Sequence, residues 1–266
     1  MTLADTAREL RRLHADPELL QVVNVWDVAT ARAVAALPGT RAIATASHSI
    51  AAAFGYPDGE QIPVDLMLDM AGRIARAVDV PVTADLEAGY DDVAATVRRA
   101  VEVGAVGGNL EDQVGGVLFD IEEAADRIAA ARAAAPCGTF VINARTDTYF
   151  GGATGEVFDE TVERATRYVE AGADCVFVPA VDDEETIRRL AEAIPAPLNL
   201  VAGLSNVIPA PTLFALGVKR ISLGGSIARA ALTAVERAGR ELLETGTLDF
   251  LDGAIGYADV QSRFRR

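Results

Sequence analysis

At 266 residues, half of them apolar, the chain is long enough to bury a large core, and one eight-stranded α/β barrel of about 250 residues would use nearly all of it. Aromatic residues make up only 6% while Ala, Val, Leu and Ile abound, which suits branched aliphatic strands covered by alanine-rich helices. The formal net charge of −15 argues against nucleic acid or an anionic membrane as partner, although local arginines and a bound cation can still admit a small anionic substrate.

In chain order, the opening MTLADTARELRRLHADPELL reads as an amphipathic helix broken by charge, without the continuous apolar segment of a signal peptide. No stretch nears the roughly 18 apolar residues of a membrane span. Short apolar runs ending in polar residues then recur: VVNVWD (22–27), AIATAS (42–47), VPVTADLE (80–87), AVGGNLED (105–112), FVINARTD (140–147), CVFVPA (175–180), LNLVAG (198–203) and RISLGG (220–225). Between them lie helical patterns such as 65–78, 90–104 and 158–172, with Gly104 and Gly172 as C-terminal stops. Strand and helix thus alternate eight times, and no GxGxxG follows the first run, so a closed (β/α)8 TIM barrel is favoured over an open dinucleotide-binding sheet. We expect one domain over 1–266, with an N-terminal helix and a C-terminal helical tail. Cys137 and Cys175 lack CxxC spacing and read as structural, which gives neither a disulfide framework nor a zinc site and fits a cytoplasmic protein.

Chemistry in such barrels sits where the strands end, and here those ends are polar. Asp27, Ser47 with His48, Asp85 with Glu87, Glu111 with Asp112, and Arg145 with Asp147 all close apolar runs, while Asn199 lies within the seventh. Asp85 and Glu87, two apart on a strand, would leave the same face, and Glu111 from the next strand completes a hard oxygen site suited to Mg²⁺ or Mn²⁺. Zinc is a poor second choice without nearby His or Cys. The alternative is that these acids cap helices or pair with Arg98 and Arg145. Arg145 can bind a carboxylate through its fork, or serve as a structural partner of Asp147 or Glu111. His48 can transfer protons or simply anchor a helix entry. The glycines of RISLGG suit either a phosphate cradle or a tight turn.

NVWDVATAR, AAAFGYPDGEQI, VTADLEAGY, GGNLEDQ and INARTDTY, in this order over roughly residues 20 to 230, resemble the isocitrate lyase/phosphoenolpyruvate mutase superfamily. The resemblance implies an Mg²⁺-dependent barrel that makes or breaks C–C or P–C bonds beside a 2-oxo acid through an enolate-like intermediate. It also implies a homotetramer whose last barrel helix is exchanged between subunits. By position, Asp58, Asp85, Glu87 and Glu111 match the metal-site acids. Arg145 matches the substrate-contacting arginine, and Thr45, Ala46 and Ser47 match the loop that holds the substrate carboxylate. Trp26, Asp27 and Asn199 fall on the substrate side, and Arg145, Glu111, Asp58 and His48 form the catalytic set. Neither a KKCGH-like lyase loop nor the mutase EDK loop follows Glu111, and Pro179 and Ala180 stand where several lyases carry a Glu. The expectation is an Mg²⁺- or Mn²⁺-dependent lyase that cleaves or decarboxylates a small 2-oxo or 2-hydroxy di- or tricarboxylate. The alternatives are a P–C bond enzyme of the phosphonopyruvate branch and a catalytically weak 2-oxo acid-binding protein.

Overall fold

The chain opens with α1 (Leu3–His14), β1 (Leu20–Gln21 and Val23–Val25), α2 (Val28–Ala35), β2 (Ile43–Thr45), α3 (Ser47–Ala53), α4 (Val64–Ala77) and β3 (Val82–Asp85) in the computed structural model, which describes residues 2–135, 138–150, 156–204 and 207–264. It continues through α5 (Val93–Val103), β4 (Gly107–Glu111), a small hairpin of Gln113–Val114 and Val117–Leu118, α6 (Ile121–Ala134), β5 (Val141–Arg145) and α7 (Glu156–Glu170). Then come β6 (Cys175–Phe177), α8 (Glu184–Ala193), β7 (Leu198–Val201), α9 (Ala210–Ala215), β8 (Arg220–Ser222), α10 (Ser226–Glu244), a 3₁₀ turn at Asp249–Leu251 and α11 (Tyr257–Ser262). Cys137 lies outside the described residues.

All eight apolar runs form strands, and every barrel pairing is parallel. Closure comes from β1: Leu20 pairs with Arg220 on one side, while Val23–Val25 pair with Ile43–Thr45 on the other. A (β/α)8 barrel is therefore the architecture. Strands buried on both faces read as continuous apolar runs, which is why they stand out in the sequence. The outer helices turn one stripe inward: Met67, Leu68, Ala71 and Ile74 on α4, and Val93, Val97 and Ala100 on α5. Each fully buried Leu or Ile contributes roughly 1.5–3 kcal/mol. Aspartates start several helices, with Asp27, Asp92 and Asp183 accepting from the N–H of Thr30, Ala95 and Thr186. Gly104 (φ +108°) and Gly172 (φ +110°) end α5 and α7 in the left-handed region, as the sequence predicts.

α1 plugs the end where the strands begin. Its Leu10 and Leu13 pack on Leu20, Val22, Ala44, Val106 and Val141. Gly107 makes this possible, because a Cβ there would stand 2.9 Å from Leu10 Cδ2 and 2.9 Å from the Val141 carbonyl. Above the plug the interior is unusually polar for this architecture. Asn24, Asn109, Asn143, Asn199 and Arg220 are all buried, the last three with no exposure. Asn143 donates to Asn109 Oδ1 (2.7 Å), and Arg220 reaches the same oxygen at 3.5 Å and His14 Nε2 at 3.3 Å. Since β4 and β8 are not neighbours, the Asn109–Arg220 contact crosses the interior. Among the described residues no helix is long and apolar enough to cross a membrane.

Candidate active site

At the C-terminal ends of the strands lies a cavity of about 630 Å³, the size class of small-molecule sites. Ala46, Ser47, His48, Asp58, Asp85, Glu87, Glu111 and Arg145 all border it, so the structure brings together most of the residues the sequence singles out. Trp26, Asp27, Thr45 and Asn199 are not among its walls. The Asp27 carboxylate accepts from the N–H (2.7 Å) and hydroxyl of Thr30, closing a capping box that starts α2. Trp26 packs against the cluster of Ile50, Ala51, Ile62 and Met67. Thr45 acts one step behind the wall: its hydroxyl accepts the Asp85 N–H (2.8 Å). Asn199 is inside the barrel, fully buried.

Asp85 ends β3 and is held by the start of α3. Its Oδ2 accepts from both the N–H (3.0 Å) and the hydroxyl (2.8 Å) of Ser47. Its Oδ1 is buried and has no partner among the described residues. The expectation that Glu87 extends the same strand face does not hold, because β3 stops at Asp85 and Glu87 turns into the left-handed region (φ 52°). Glu60 (φ 60°) and Tyr90 (φ 59°) share that conformation, each at a cost of the order of 1–3 kcal/mol. Hydrogen bonds hold the three together: the Glu60 N–H and the Tyr90 hydroxyl donate to the Glu87 carboxylate, and the Tyr90 N–H donates to Glu60 (2.6 Å). Turning the chain here aims a longer acid into the cavity beside Asp85.

Glu111 ends β4. One oxygen accepts from Arg145 (2.6 Å) and the other from Gln113 (3.0 Å) at the base of the hairpin. Arg145 also grips Asp147 through Nε (2.6 Å) and Nη2 (3.0 Å), so both partners weighed from the sequence are engaged. Among the described residues three of its five N–H groups are used, and two remain. Asp147 is itself placed from behind, because its N–H donates to Asp112 (2.9 Å), which accepts from the Tyr168 hydroxyl (2.7 Å) on α7. Asp112, the second acid of NLED, is therefore a buried anchor.

The acids crowd one another. Burial and the charge of Asp85 push Glu87 up to about 7. Burial, with Asp85, Asp147 and Glu87 close by, raises Glu111 well above the carboxylate range against the pull of Arg145. Asp58, on an exposed loop, is raised by dehydration on its cavity side and by Asp85. Carboxylates arranged so that each disfavours its neighbour's charge are the electrostatic signature of a site that wants a cation. Among the described residues no three Asp, Glu, His or Cys converge to hold a metal directly, and the oxygens of Glu87 and Glu111 accept hydrogen bonds. Among the described residues, the arrangement leaves Asp85 Oδ1 as the buried carboxylate oxygen without a partner.

The turn after β8 also finds its reason. Leu223 and Gly224 donate their N–H groups to Asn24 Oδ1 (2.8 and 2.9 Å), so RISLGG forms a turn tied to β1, with those two amides already used. Gly225 makes room for His48, whose Nδ1 would lie 2.8 Å from a Cβ at that position.

The description that matches this chain, over residues 10–243, is that of phosphoenolpyruvate phosphomutase. The chain belongs to this family. Within the wider isocitrate lyase/phosphoenolpyruvate mutase superfamily, it is 34% identical to an uncharacterized protein of Mycobacterium tuberculosis over 90% of each chain. It is 30% identical to a 2-methylisocitrate lyase of Halalkalibacterium halodurans, covering 98% of this chain and 87% of that one. Among solved structures, a Burkholderia cenocepacia protein described as a lyase/mutase superposes with a TM-score of 0.91 at 39% identity, covering 98% and 97% of the two chains. Oxaloacetate acetylhydrolase in complex with oxalate superposes at 0.88 with 26% identity, covering 98% and 94%. Phosphonopyruvate hydrolase in complex with oxalate and Mg²⁺ superposes at 0.86 with 25% identity, covering 97% and 94%. The characterised members are enzymes, and lyases of carboxylic acids are prominent among them.

Several cavity residues are missed by a search for polar residues at the ends of apolar runs. Asn24 and Asn109 lie within apolar runs, and Arg229 sits in the first turn of α10, yet all three line the cavity. Alternation along β1 and β4 could have flagged the two asparagines as inward-facing; nothing local marks Arg229.

Proposed function

We propose that this protein is a divalent-metal-dependent lyase that breaks a C–C bond next to the 2-oxo or 2-hydroxy group of a small di- or tricarboxylate. The observation that carries the reading is Asp85: one carboxylate oxygen is fixed by Ser47 and the other is buried among three further acids, unpartnered among the described residues. An oxygen in that position is stabilised by a cation, and an all-oxygen donor set suits Mg²⁺ or Mn²⁺. Asp85 would hold the ion, with Asp58, Glu87 and Glu111 reaching it through the waters Mg²⁺ habitually keeps. When bound, the metal supplies positive charge against the negative charge that develops on a 2-oxo acid as the bond breaks. The two free N–H groups of Arg145 add a second stabilising charge, oriented by the Asp147 fork. Ser47, at the start of α3, fixes the Asp85 carboxylate so that little reorganisation is needed in the reaction. The hairpin after Glu111 covers this end with Gln113 and carries no Lys, Cys or His, which supports simple cleavage or decarboxylation over isocitrate cleavage.

The test is a turnover screen with Mg²⁺ against oxaloacetate, substituted malates, methylisocitrate and phosphonopyruvate, each with an EDTA control. Metal-dependent cleavage of a carboxylic acid is the expected result. Turnover of phosphonopyruvate alone would assign the P–C branch, and no turnover of any of these acids would leave a binding protein.

A further inference from the structure

Arg220 is fully buried inside the barrel, and among the described residues its polar contacts are neutral. They run to His14 Nε2 (3.3 Å) on the plug and to Asn109 Oδ1 (3.5 Å) on β4, while its Nε has none. Burial pushes the guanidinium below the ordinary arginine range, with Cys175 and Asp85 favouring its charge. A buried cation held this way works against the fold, and an apolar side chain of similar volume in its place is often neutral or stabilising. What the cation does locally is fix an amide. A guanidinium has donors and no acceptor, so the Asn109 atom that faces it must be the carbonyl oxygen. The same oxygen accepts from Asn143 (2.7 Å). Two facing asparagines could exchange donor and acceptor, but Arg220 leaves only one orientation for Asn109. Its NH₂ is then turned away from both partners, and Asn109 lines the cavity. Among the described residues nothing takes up that NH₂, not even Asp85, its register neighbour on β3, whose Oδ1 stays unpartnered.

From this arrangement we infer that Asn109 is a ligand-binding donor, giving an N–H from inside the barrel to a carboxylate oxygen of the acid bound beside Asp85, with Arg220 as its positioning residue. The inference rests on the proposed metal-site reading, which puts the acid there. Asp85, Glu87 and Glu111 border the same cavity, and ionised carboxylates can only accept, so an anionic oxygen among them needs donors from elsewhere. Arg145 supplies some from β5, and Asn109 supplies one from β4. A neutral amide suits this place, because a second cation there would pair with the acids and compete with the metal for them. Since Arg220 and Asn143 set the amide before any ligand arrives, less side-chain freedom is lost on binding.

The experiment is calorimetry of full-length protein with saturating Mg²⁺ and oxalate as the probe, with thermal unfolding measured alongside. Arg220→Met is expected to unfold at or above the wild-type midpoint, because it removes a buried unpaired charge. It is also expected to weaken oxalate by at least about threefold, since Asn109 is then free to turn its oxygen to the cavity. Asn109→Leu combined with Arg220→Met replaces both partners by apolar groups, and should fold and bind oxalate about 10-fold more weakly than the wild type. Asn109→Asp keeps an acceptor for Arg220 and Asn143, which preserves the fold, but it has no N–H to give and should lose at least as much affinity. Wild-type oxalate affinity in the folded double variant or in Asn109→Asp overturns the donor role. Unchanged affinity in Arg220→Met, whatever its stability, makes Arg220 structural and overturns its positioning role. In each of those cases the metal-site reading stands, because oxalate still binds. Failure of oxalate to bind the wild type in the presence of Mg²⁺ removes the metal-site reading and this inference together.

Discussion

Replacing Arg145 by lysine separates two roles that the structure gives to one side chain. The guanidinium makes three charge-assisted hydrogen bonds, two to Asp147 and one to Glu111, with side chains 15%, 5% and 9% exposed. Lysine keeps the charge but not the fork, and can satisfy one of the two carboxylates at a time. Each hydrogen bond to a charged group is worth about 1.5–3 kcal/mol, so losing one or two of them in a largely buried cluster should cost roughly 2–4 kcal/mol of stability. Urea unfolding at neutral pH reads that loss directly. If the two remaining N–H groups also stabilise charge in the transition state, turnover per folded molecule should fall by about 10²-fold, or roughly 3 kcal/mol, with a smaller change in KM. The assay uses the best substrate from the screen, at a urea-free temperature where the variant is fully folded. A destabilised variant with unchanged kcat would refute the catalytic role and leave Arg145 as a clamp for the acids. Unchanged stability would refute the clamp.

Asp85→Ala should abolish Mn²⁺ binding measured by calorimetry or electron paramagnetic resonance with circular dichroism unaltered, and retention of wild-type affinity would remove the central role of its buried oxygen. His14 supplies a pH test of the barrel plug: burial and the nearby Arg220 push it down to about 4, from about 6.5 for an ordinary histidine. The folded state therefore binds fewer protons than the unfolded one between those values. Its stabilising contribution is complete above about pH 6.5 and is lost as pH falls towards 4, by up to roughly 3 kcal/mol, and His14→Asn should flatten that part of the stability profile. Leu232, Val235 and Leu243 on α10 are 57%, 68% and 86% exposed, and the homotetramer that the family resemblance implies would cover them. Light scattering should give four times the chain mass, and Val235→Asp should lower it.

The barrel was legible because its strands are short apolar runs buried on both faces, a pattern that needs no knowledge of what they pack against. Gly104 and Gly172 were legible for a similarly local reason: a helix that ends in the left-handed region asks for glycine. The acids of the site were found by their place at strand ends and by the likeness of their motifs to a known family, but their division of labour was not. Whether an aspartate at the end of a run faces the cavity or caps the next helix depends on where the strand stops, and Asp27 and Asp85 differ in just this respect. Glu87 shows the same limit, because counting two residues along a strand fails once the chain leaves the strand at Asp85. The interior asparagines and Arg220 escape a search for polar residues at run ends, since they sit within or at the base of the strands. Their partners come from strands on opposite sides of the barrel, such as Asn109 and Arg220. A contact of that kind is created by closure of the sheet, so it becomes visible only when β1 is seen to pair with both β2 and β8. Arg229 is reached by the same logic one layer higher: closure brings the first turn of α10 to the cavity that β3, β4 and β5 fill with acids, and the meaning of its charge lies in that juxtaposition.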